Sequence, residues 1–295
     1  MKATDYPLVS IVTINFNQTS VTRDLLLSLQ NISYPSIEII VVDNGSRDTS
    51  VQSLKQEFPE INLIVTGKNL GFAGGNNVGL KEAKGEYLLL INNDVEVTPG
   101  FLEPLVAIFQ QESNVGIASP RIVYFDRDEL IQYAGAVSIN PYTGRGKKLG
   151  YLETDTNQYN WVRETELGHG ACLLTSRKVM EEVGLLPEVY FLYYEEHDWT
   201  EQVKRAGYRV YYVGTSKVYH KESISVGKNN PIKTYYLVRN RLLYLKRNTK
   251  GLTQLSSMLF FFGLAMPKDI LKLLLRMDFP NLKSYIQGIS WHLNH

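Results

Sequence analysis

Apolar residues gather in short unbroken runs at 9–14, 38–42, 61–65 and 87–91, with no in-and-out alternation. That pattern predicts strands buried on both faces, as in the middle of a parallel sheet. Between the runs the apolar residues recur at helical spacing: Val21, Leu25, Leu29 and Ile32, then Val51, Leu54 and Phe58. Thr19 or Ser20 suits the cap of the first helix, and Ser46 or Asp48 that of the second. A third helix is expected after the glycine-rich stretch 69–77 and should stop at Gly85. Strands alternating with helices through short loops predict an α/β fold, Rossmann-like and doubly wound on a mostly parallel sheet.

Each strand run breaks abruptly into polar residues: Asn15, Asp43, Asn69, and Asn92-Asn93-Asp94. Those positions are the carboxyl ends of the predicted strands, the rim where open α/β sheets bind ligands. Oxygen-bearing residues in a row there suit a hard cation bridging phosphate oxygens, although Asn-Asp pairs also serve as plain turns. The glycines read G-x-x-G-G-x-x-x-G after the third strand rather than the first, so a dinucleotide fingerprint is absent and a nicotinamide dehydrogenase is disfavoured.

Farther along, a helix is expected over 102–109 and strands over 115–119, 121–124 and 134–139, followed by a polar segment, 141–160, with no evident chemistry. Gly168-His169-Gly170 precedes another apolar run and leaves room for a ligand against backbone, with His169 as a candidate contact. The aromatic run 190–194 leads into Glu195-Glu196-His197-Asp198-Trp199 and a helix ending at Gly207. Adjacent acids suit a helix N-terminus on electrostatic grounds alone. Beside aromatics they are also partly desolvated, which raises a carboxylate toward the range of a general base. Strands over 208–213 and 217–220 follow, the second ending at His220.

The 295 residues carry a net charge of +1 that hides an asymmetry: residues 223–295 hold eleven Lys/Arg and two acids. A basic tail points to a polyanion or an anionic membrane, and no nucleic-acid-binding signature accompanies it. The apolar stretch 258–266 is far shorter than the roughly 20 residues that span a bilayer. Residues 271–275, flanked by Lys268, Lys272 and Arg276, suit an interfacial amphipathic segment, or equally a helical pair that packs on the catalytic body or forms a homo-oligomer. The lone Cys172 fits a reducing compartment, no signal peptide is visible, and the expectation is a cytoplasmic protein, peripheral on the inner face of the plasma membrane.

Taken together and in order, Ile14-Asn15-Phe16-Asn17, Val42-Asp43-Asn44-Gly45-Ser46, Asn69-Leu70-Gly71-Phe72-Ala73, Ile91-Asn92-Asn93-Asp94, Tyr194-Glu195-Glu196-His197-Asp198 and Val218-Tyr219-His220 resemble family 2 inverting glycosyltransferases. The resemblance spans about residues 8–245 and is nearest to the bacterial rhamnosyltransferase-type branch, which serves surface polysaccharide synthesis in the cell envelope. It implies a GT-A catalytic domain over 1–222, with a nucleotide-binding half to about 98 and an acceptor half beyond, and a helical appendage over 223–295. It implies a nucleotide-sugar donor (dTDP-rhamnose first, UDP-hexose next), a glycan or lipid-diphosphate-linked acceptor, and a divalent cation, Mn²⁺ or Mg²⁺. By position, Asp43 would hold the base or ribose, with Asn15, Asn69 and Asn76 about it. Asn92-Asn93-Asp94 stands in place of the DXD metal motif, with Asp94 as its carboxylate and His220 meeting the metal or diphosphate. Glu196 would be the base, beside Glu195. Asp198, Trp199, Arg239 and Arg241 are candidate acceptor or diphosphate contacts. Asn92 departs from the usual first aspartate and Glu196 from the commoner aspartate. The rivals are a nucleotidyltransferase, which should carry a glycine-rich loop after the first strand, and a non-catalytic sugar-binding protein, which should lack Asp94 or Glu196.

Overall fold

The computed structural model describes residues 6–47, 50–127, 129–221 and 230–294. The four apolar runs are strands β1 (Val9–Asn15), β2 (Ile37–Asp43), β3 (Asn62–Val65) and β4 (Tyr87–Ile91), all parallel in the order β4-β1-β2-β3. Helices α1 (Thr19–Leu29), α2 (Gln52–Glu57) and α3 (Gly71–Glu82) make the crossovers. The chain then runs through β5 (Val95–Val97), α4 (Leu102–Gln111), β6 (Val115–Tyr124), β7 (Ile131–Tyr133), the hairpin β8 (Ala136–Asn140) and β9 (Arg145–Lys148), and β10 (Val162–Glu164). It continues with β11 (Cys172–Ser176), α5 (Arg177–Val183), α6 (Glu195–Arg205) and β12 (Arg209–His220). Strand β11 lies antiparallel between β4 and β6, and β12 pairs parallel with β6. The ends of β1, β2, β4 and β12 and the start of β11 therefore share one rim.

Both faces of the sheet are covered, which is why its runs do not alternate. Leu89 and Ile91 of β4 pack with Leu25, Leu29 and Leu105 on one side, while Leu88 and Leu90 pack with Leu80, Val179 and Trp199 on the other.

Several local expectations change. The glycine-rich stretch forms most of α3 rather than a loop before it. A Cβ on Gly75 would stand 3.0 Å from Ile14 Cδ1, and Gly79 faces Val12 and Val42, so the missing side chains let the helix lie close on the sheet. Gly85 is not the helix stop; Ala83 is, and Gly85 sits against the backbone of Ser10. Helix α1 has no side-chain cap, because Thr19 Oγ1 instead meets Ser50 Oγ at 2.7 Å. Ser46 bonds Asp43 rather than opening α2, and Asp48 lies outside the described residues. The segments 115–119 and 121–124 are one strand running through Pro120, and 208–213 and 217–220 are likewise one. A proline has no N–H to offer, and β12 shifts register between Val213 and Lys217, just beside Pro120.

After residues 222–229, which are not described, α7 (Pro231–Asn248), α8 (Gly251–Phe260), a π-turn (Phe261–Ala265), α9 (Met266–Leu275) and α10 (Phe279–Asn294) form a helical layer. Its own small core holds Val238, Leu242, Phe261, Ala265 and Tyr285. Among the described residues no helix is long and apolar enough to cross a membrane.

Candidate active site

Over the shared rim lies a cavity of about 830 Å³. Asn44, Asn69 and Asn76 line it beside the parallel strands, together with Asn92, Asn93, Asp94, His220, His169, Gly170, Glu195 and Glu196, and the His169 and His220 rings stand 6.4 Å apart. Phe191, Tyr193 and Tyr236 add an aromatic wall, with Ser284 and Gln287 from α10, and Phe191 lies against Gly71 at the start of α3.

A chain of side-chain hydrogen bonds holds the rim in register. Asn93 Nδ2 donates to Thr22 Oγ1 at 3.0 Å, Thr22 to Asn15 Oδ1 at 2.8 Å, and Asn15 Nδ2 to Asp43 Oδ1 at 2.8 Å. Asn15 and Asp43 are buried behind the wall that Ile14 and Asn44 present. Asn44 in turn accepts from the Leu70 amide at 2.9 Å and donates to the Gly71 carbonyl at 2.9 Å, tying β2 to the start of α3.

Asp94 Oδ1 lies 3.1 Å from His220 Nε2, and His220 Nδ1 lies 2.7 Å from Gln132 Oε1. An amide oxygen only accepts, so with Gln132 Oε1 at Nδ1 that nitrogen is the donor, and a neutral ring would turn its Nε2 lone pair toward the Asp94 carboxylate. Two acceptors facing each other call for a second proton or a cation. The buried Asn92 Oδ1, which has no hydrogen-bond partner, adds a third oxygen or nitrogen donor on the same wall. This donor set fits an Mn²⁺ or Mg²⁺ ion that takes its remaining ligands from phosphate oxygens or water. Among the described residues no group of three or more His, Cys, Asp or Glu could hold a metal by itself.

Glu195 and Glu196 begin α6, and each has one buried carboxylate oxygen, Oε2, without a hydrogen-bond partner. Burial pushes Glu195 well above the ordinary carboxylate range, and the like charge of Glu196 adds to it. Burial works the same way on Glu196, but His197, whose Nδ1 is 3.3 Å from Glu196 Oε1, outweighs it and holds that carboxyl below its ordinary value. The two surroundings therefore push the pair in opposite directions, Glu195 upward and Glu196 downward, and both carboxyls line the cavity. Gly170 lies directly beside this carboxylate: a Cβ there would stand 3.4 Å from Glu196 Oε1.

The aromatic segment before α6 is left-handed at Phe191, Tyr193 and Tyr194, with φ of 64°, 68° and 75°. Such conformations cost about 1–3 kcal/mol each in non-glycine residues. Helix α7 holds them: Asn240 Nδ2 donates to the carbonyls of Tyr190, Leu192 and Tyr193 at 3.0, 2.7 and 2.7 Å, and Arg239 to that of Val189 at 2.8 Å.

The family model for glycosyl transferase family 2 matches residues 10–184. This chain belongs to glycosyltransferase family 2. It is similar to the low-salt glycan biosynthesis hexosyltransferase Agl10 of Haloferax volcanii, with 25% identity over 240 residues, 80% of this chain and 74% of that protein. It is 25% identical over 247 residues to an N-acetylglucosaminyl-diphospho-decaprenol L-rhamnosyltransferase of Mycobacterium tuberculosis, 75% of this chain and 78% of the other. In fold it resembles the mannosyltransferase PcManGT from Pyrobaculum calidifontis, solved with GDP-Man and Mn²⁺, at TM-score 0.59 and 16% identity over 99% of this chain and 76% of that one. The sheet with its helical layers is the GT-A fold, and the protein is a glycosyltransferase of the rhamnosyltransferase-like branch.

In this glycosyltransferase, Asp94, His220, Glu195, Glu196, His169, Asn69, Asn76, Asn92 and Asn93 meet at one cavity. Besides Asn15 and Asp43, which are buried behind the wall, four candidate contacts stand apart from it. Asp198 is buried and spent on Arg247 at 2.9 Å and Asn248 at 2.6 Å, and the Trp199 indole donates to the Gly184 carbonyl. Arg239 is committed to the aromatic segment, and Arg241 donates to the Thr143 carbonyl at 2.9 Å. None of the four lines the cavity: their polar atoms hold α6 and α7 to the body, a use that a sequence of charged residues does not distinguish from ligand binding. Conversely, Lys148 reaches the cavity from the polar segment, 2.9 Å from His169 Nε2. Burial first, and the Lys148 charge next, hold His169 well below the ordinary histidine range. Gln132 was equally silent in the sequence. Asn44 lay within a quoted motif, where its neighbour Asp43 is the more familiar ligand.

Proposed function

We propose that this enzyme is an inverting transferase that moves a sugar from a nucleoside-diphosphate donor to a hydroxyl of a glycan or lipid-diphosphate-linked acceptor in polysaccharide synthesis. The observation that carries the reading is that Glu196, with an unpartnered carboxylate oxygen, faces the same cavity as the Asp94–His220 pair. A single in-line displacement needs a base and a leaving-group site in one cavity, with the anomeric carbon between them.

Glu196 takes the proton of the acceptor hydroxyl, and that oxygen attacks the anomeric carbon as the bond to the diphosphate breaks. Glu195, kept protonated, spares Glu196 a second negative neighbour. Asn69 and Asn76 offer amide groups to the nucleotide, Asn44 fixes Asn69 and the start of α3 behind them, and Asp43 with Asn15 anchors this end of the site. Asp94 and His220, with Asn92, would hold a divalent cation, which supplies positive charge against the diphosphate. The aromatic wall suits the apolar face of a pyranose acceptor. The resemblance and the rhamnosyltransferase relative support dTDP-rhamnose as the first donor, with UDP-hexoses next.

The test is transfer and donor hydrolysis across a panel of sugar nucleotides with Mn²⁺ or Mg²⁺, followed by the configuration of the new bond. Retention of configuration, or no turnover of any sugar nucleotide, sinks the proposal.

A further inference from the structure

Helix α8, the π-turn and α9 form one continuous rod. One side of it is packed, through Ser257, Phe261 and Ala265. The other side is apolar and open: Leu252 is 84% exposed, Leu259 65%, Leu264 65%, Leu271 56% and Leu275 77%. Such a stripe has no reason to face water, and contiguous apolar surface on this scale marks an interaction site.

The π-turn keeps the stripe in line. An α-helix advances about 100° per residue, so Leu252 and Leu259 share a face, but Leu264, Leu271 and Leu275 would turn more than a quarter of a circle away from it. A π-turn takes up one extra residue and returns the later leucines to the face of the earlier ones. The backbone irregularity therefore serves the exposed face as much as the packed one.

The charges around the stripe are predominantly positive. Lys250, Lys268, Lys272, Arg276 and Lys283 are exposed. The two acids of this region are occupied: Asp269 accepts from the Tyr285 hydroxyl at 3.3 Å, and Asp278 from Asn281 Nδ2 at 2.9 Å. Leucines interleaved with an excess of basic side chains complement a layer that has an apolar interior and phosphates at its edge. A second copy of the chain on this face would set like charges against one another across a two-fold axis.

We infer that the outer face of α8 and α9 docks on an anionic phospholipid surface. Helix α10 connects that layer to the active site, since Ser284 and Gln287 line the cavity while Lys283 and Ile286 are exposed. An acceptor carried on the lipid surface would thus reach the aromatic wall of the cavity without leaving the membrane. The docking itself does not depend on the proposed sugar transfer.

Flotation of the full chain with vesicles of phosphatidylcholine, alone or mixed with phosphatidylglycerol, tests the inference. The wild type should float with the mixed vesicles, and the variant L259Q/L271Q/L275Q should lose about tenfold or more of the bound fraction. These side chains are exposed, so the variant should keep the wild-type melting temperature. K268Q/K272Q should lose the preference for phosphatidylglycerol. Failure of the wild type to bind either vesicle, or unchanged binding by the leucine variant, overturns the inference. So does a wild-type dimer, seen by light scattering, that the leucine variant dissolves while neither protein binds vesicles. That result assigns the face to a second copy.

Discussion

The side-chain amide of Asn240 donates to the carbonyl oxygen of Tyr193 at 2.7 Å, two residues before the carboxylate pair. The same nitrogen also reaches the carbonyls of Tyr190 and Leu192, so one side chain from α7 braces a segment with three left-handed aromatic residues. Glu195 and Glu196 inherit their position from that segment. Asn240→Ala should therefore lower kcat by about ten- to a hundredfold, since small misplacements of a reacting group carry costs of that order. The KM for the nucleotide-sugar should change less than kcat, because the segment's link to the start of α3, from the Phe72 amide to the Phe191 carbonyl at 2.6 Å, does not involve Asn240. Steady-state kinetics distinguish this from general damage, which would move both constants together.

Glu196→Gln preserves shape and removes the base, so kcat should fall by about 10²–10⁴-fold with donor binding retained. Glu195→Gln should cost far less, because a protonated carboxyl and an amide resemble each other. Equal losses in the two variants, measured at saturating donor, would contradict the division of roles between them.

The pH dependence of stability carries a definite sign. Glu195 has its folded pKa raised by burial and by Glu196, so the folded chain holds a proton that the unfolded chain has released. Stability from this group is full below the ordinary carboxylate range and is lost as pH rises through the raised value. Glu195→Gln removes that loss. Its melting temperature should gain on the wild type from about pH 4.3 upward, where an unperturbed glutamate ionises, and then level off. Melting curves across the pH series check it.

Gln132 contacts His220 from behind, at Nδ1. If the pair with Asp94 binds a cation, Gln132→Ala should weaken Mn²⁺ affinity by about 10–100-fold while leaving Glu196 untouched. Asp94→Asn should be more severe, since it removes the carboxylate itself. Mn²⁺ titration monitored by the thermal shift given by UDP or dTDP measures both.

Much of this arrangement was legible in the chain. The strands β1, β2 and β4 stand where their apolar runs lie, because a strand covered on both faces needs no alternation to be recognised. The polar breaks after them reach one rim, because parallel strands bring their carboxyl ends together. Caps and helix starts were less legible. Ser46, Thr19 and the α3 glycines have local preferences that partners distant in sequence overrode: Asn15 and Asn17, Ser50, and the side chains of β1 and β2.

By itself, then, the amino-acid order determined the sheet, the rim and the two acidic groups, since apolar periodicity and strand direction are properties of neighbouring residues. Which polar side chains face the cavity was decided only by tertiary structure. Arg239, Arg241 and Asp198 look like ligand contacts in the chain, and folding turns them toward backbone carbonyls or ion pairs that hold α6 and α7 in place. Lys148 and Gln132 look like filler, and folding brings them to the active site. A hydrogen-bonding group is committed by whichever partner the fold sets within about 3 Å, and that partner is usually remote in sequence.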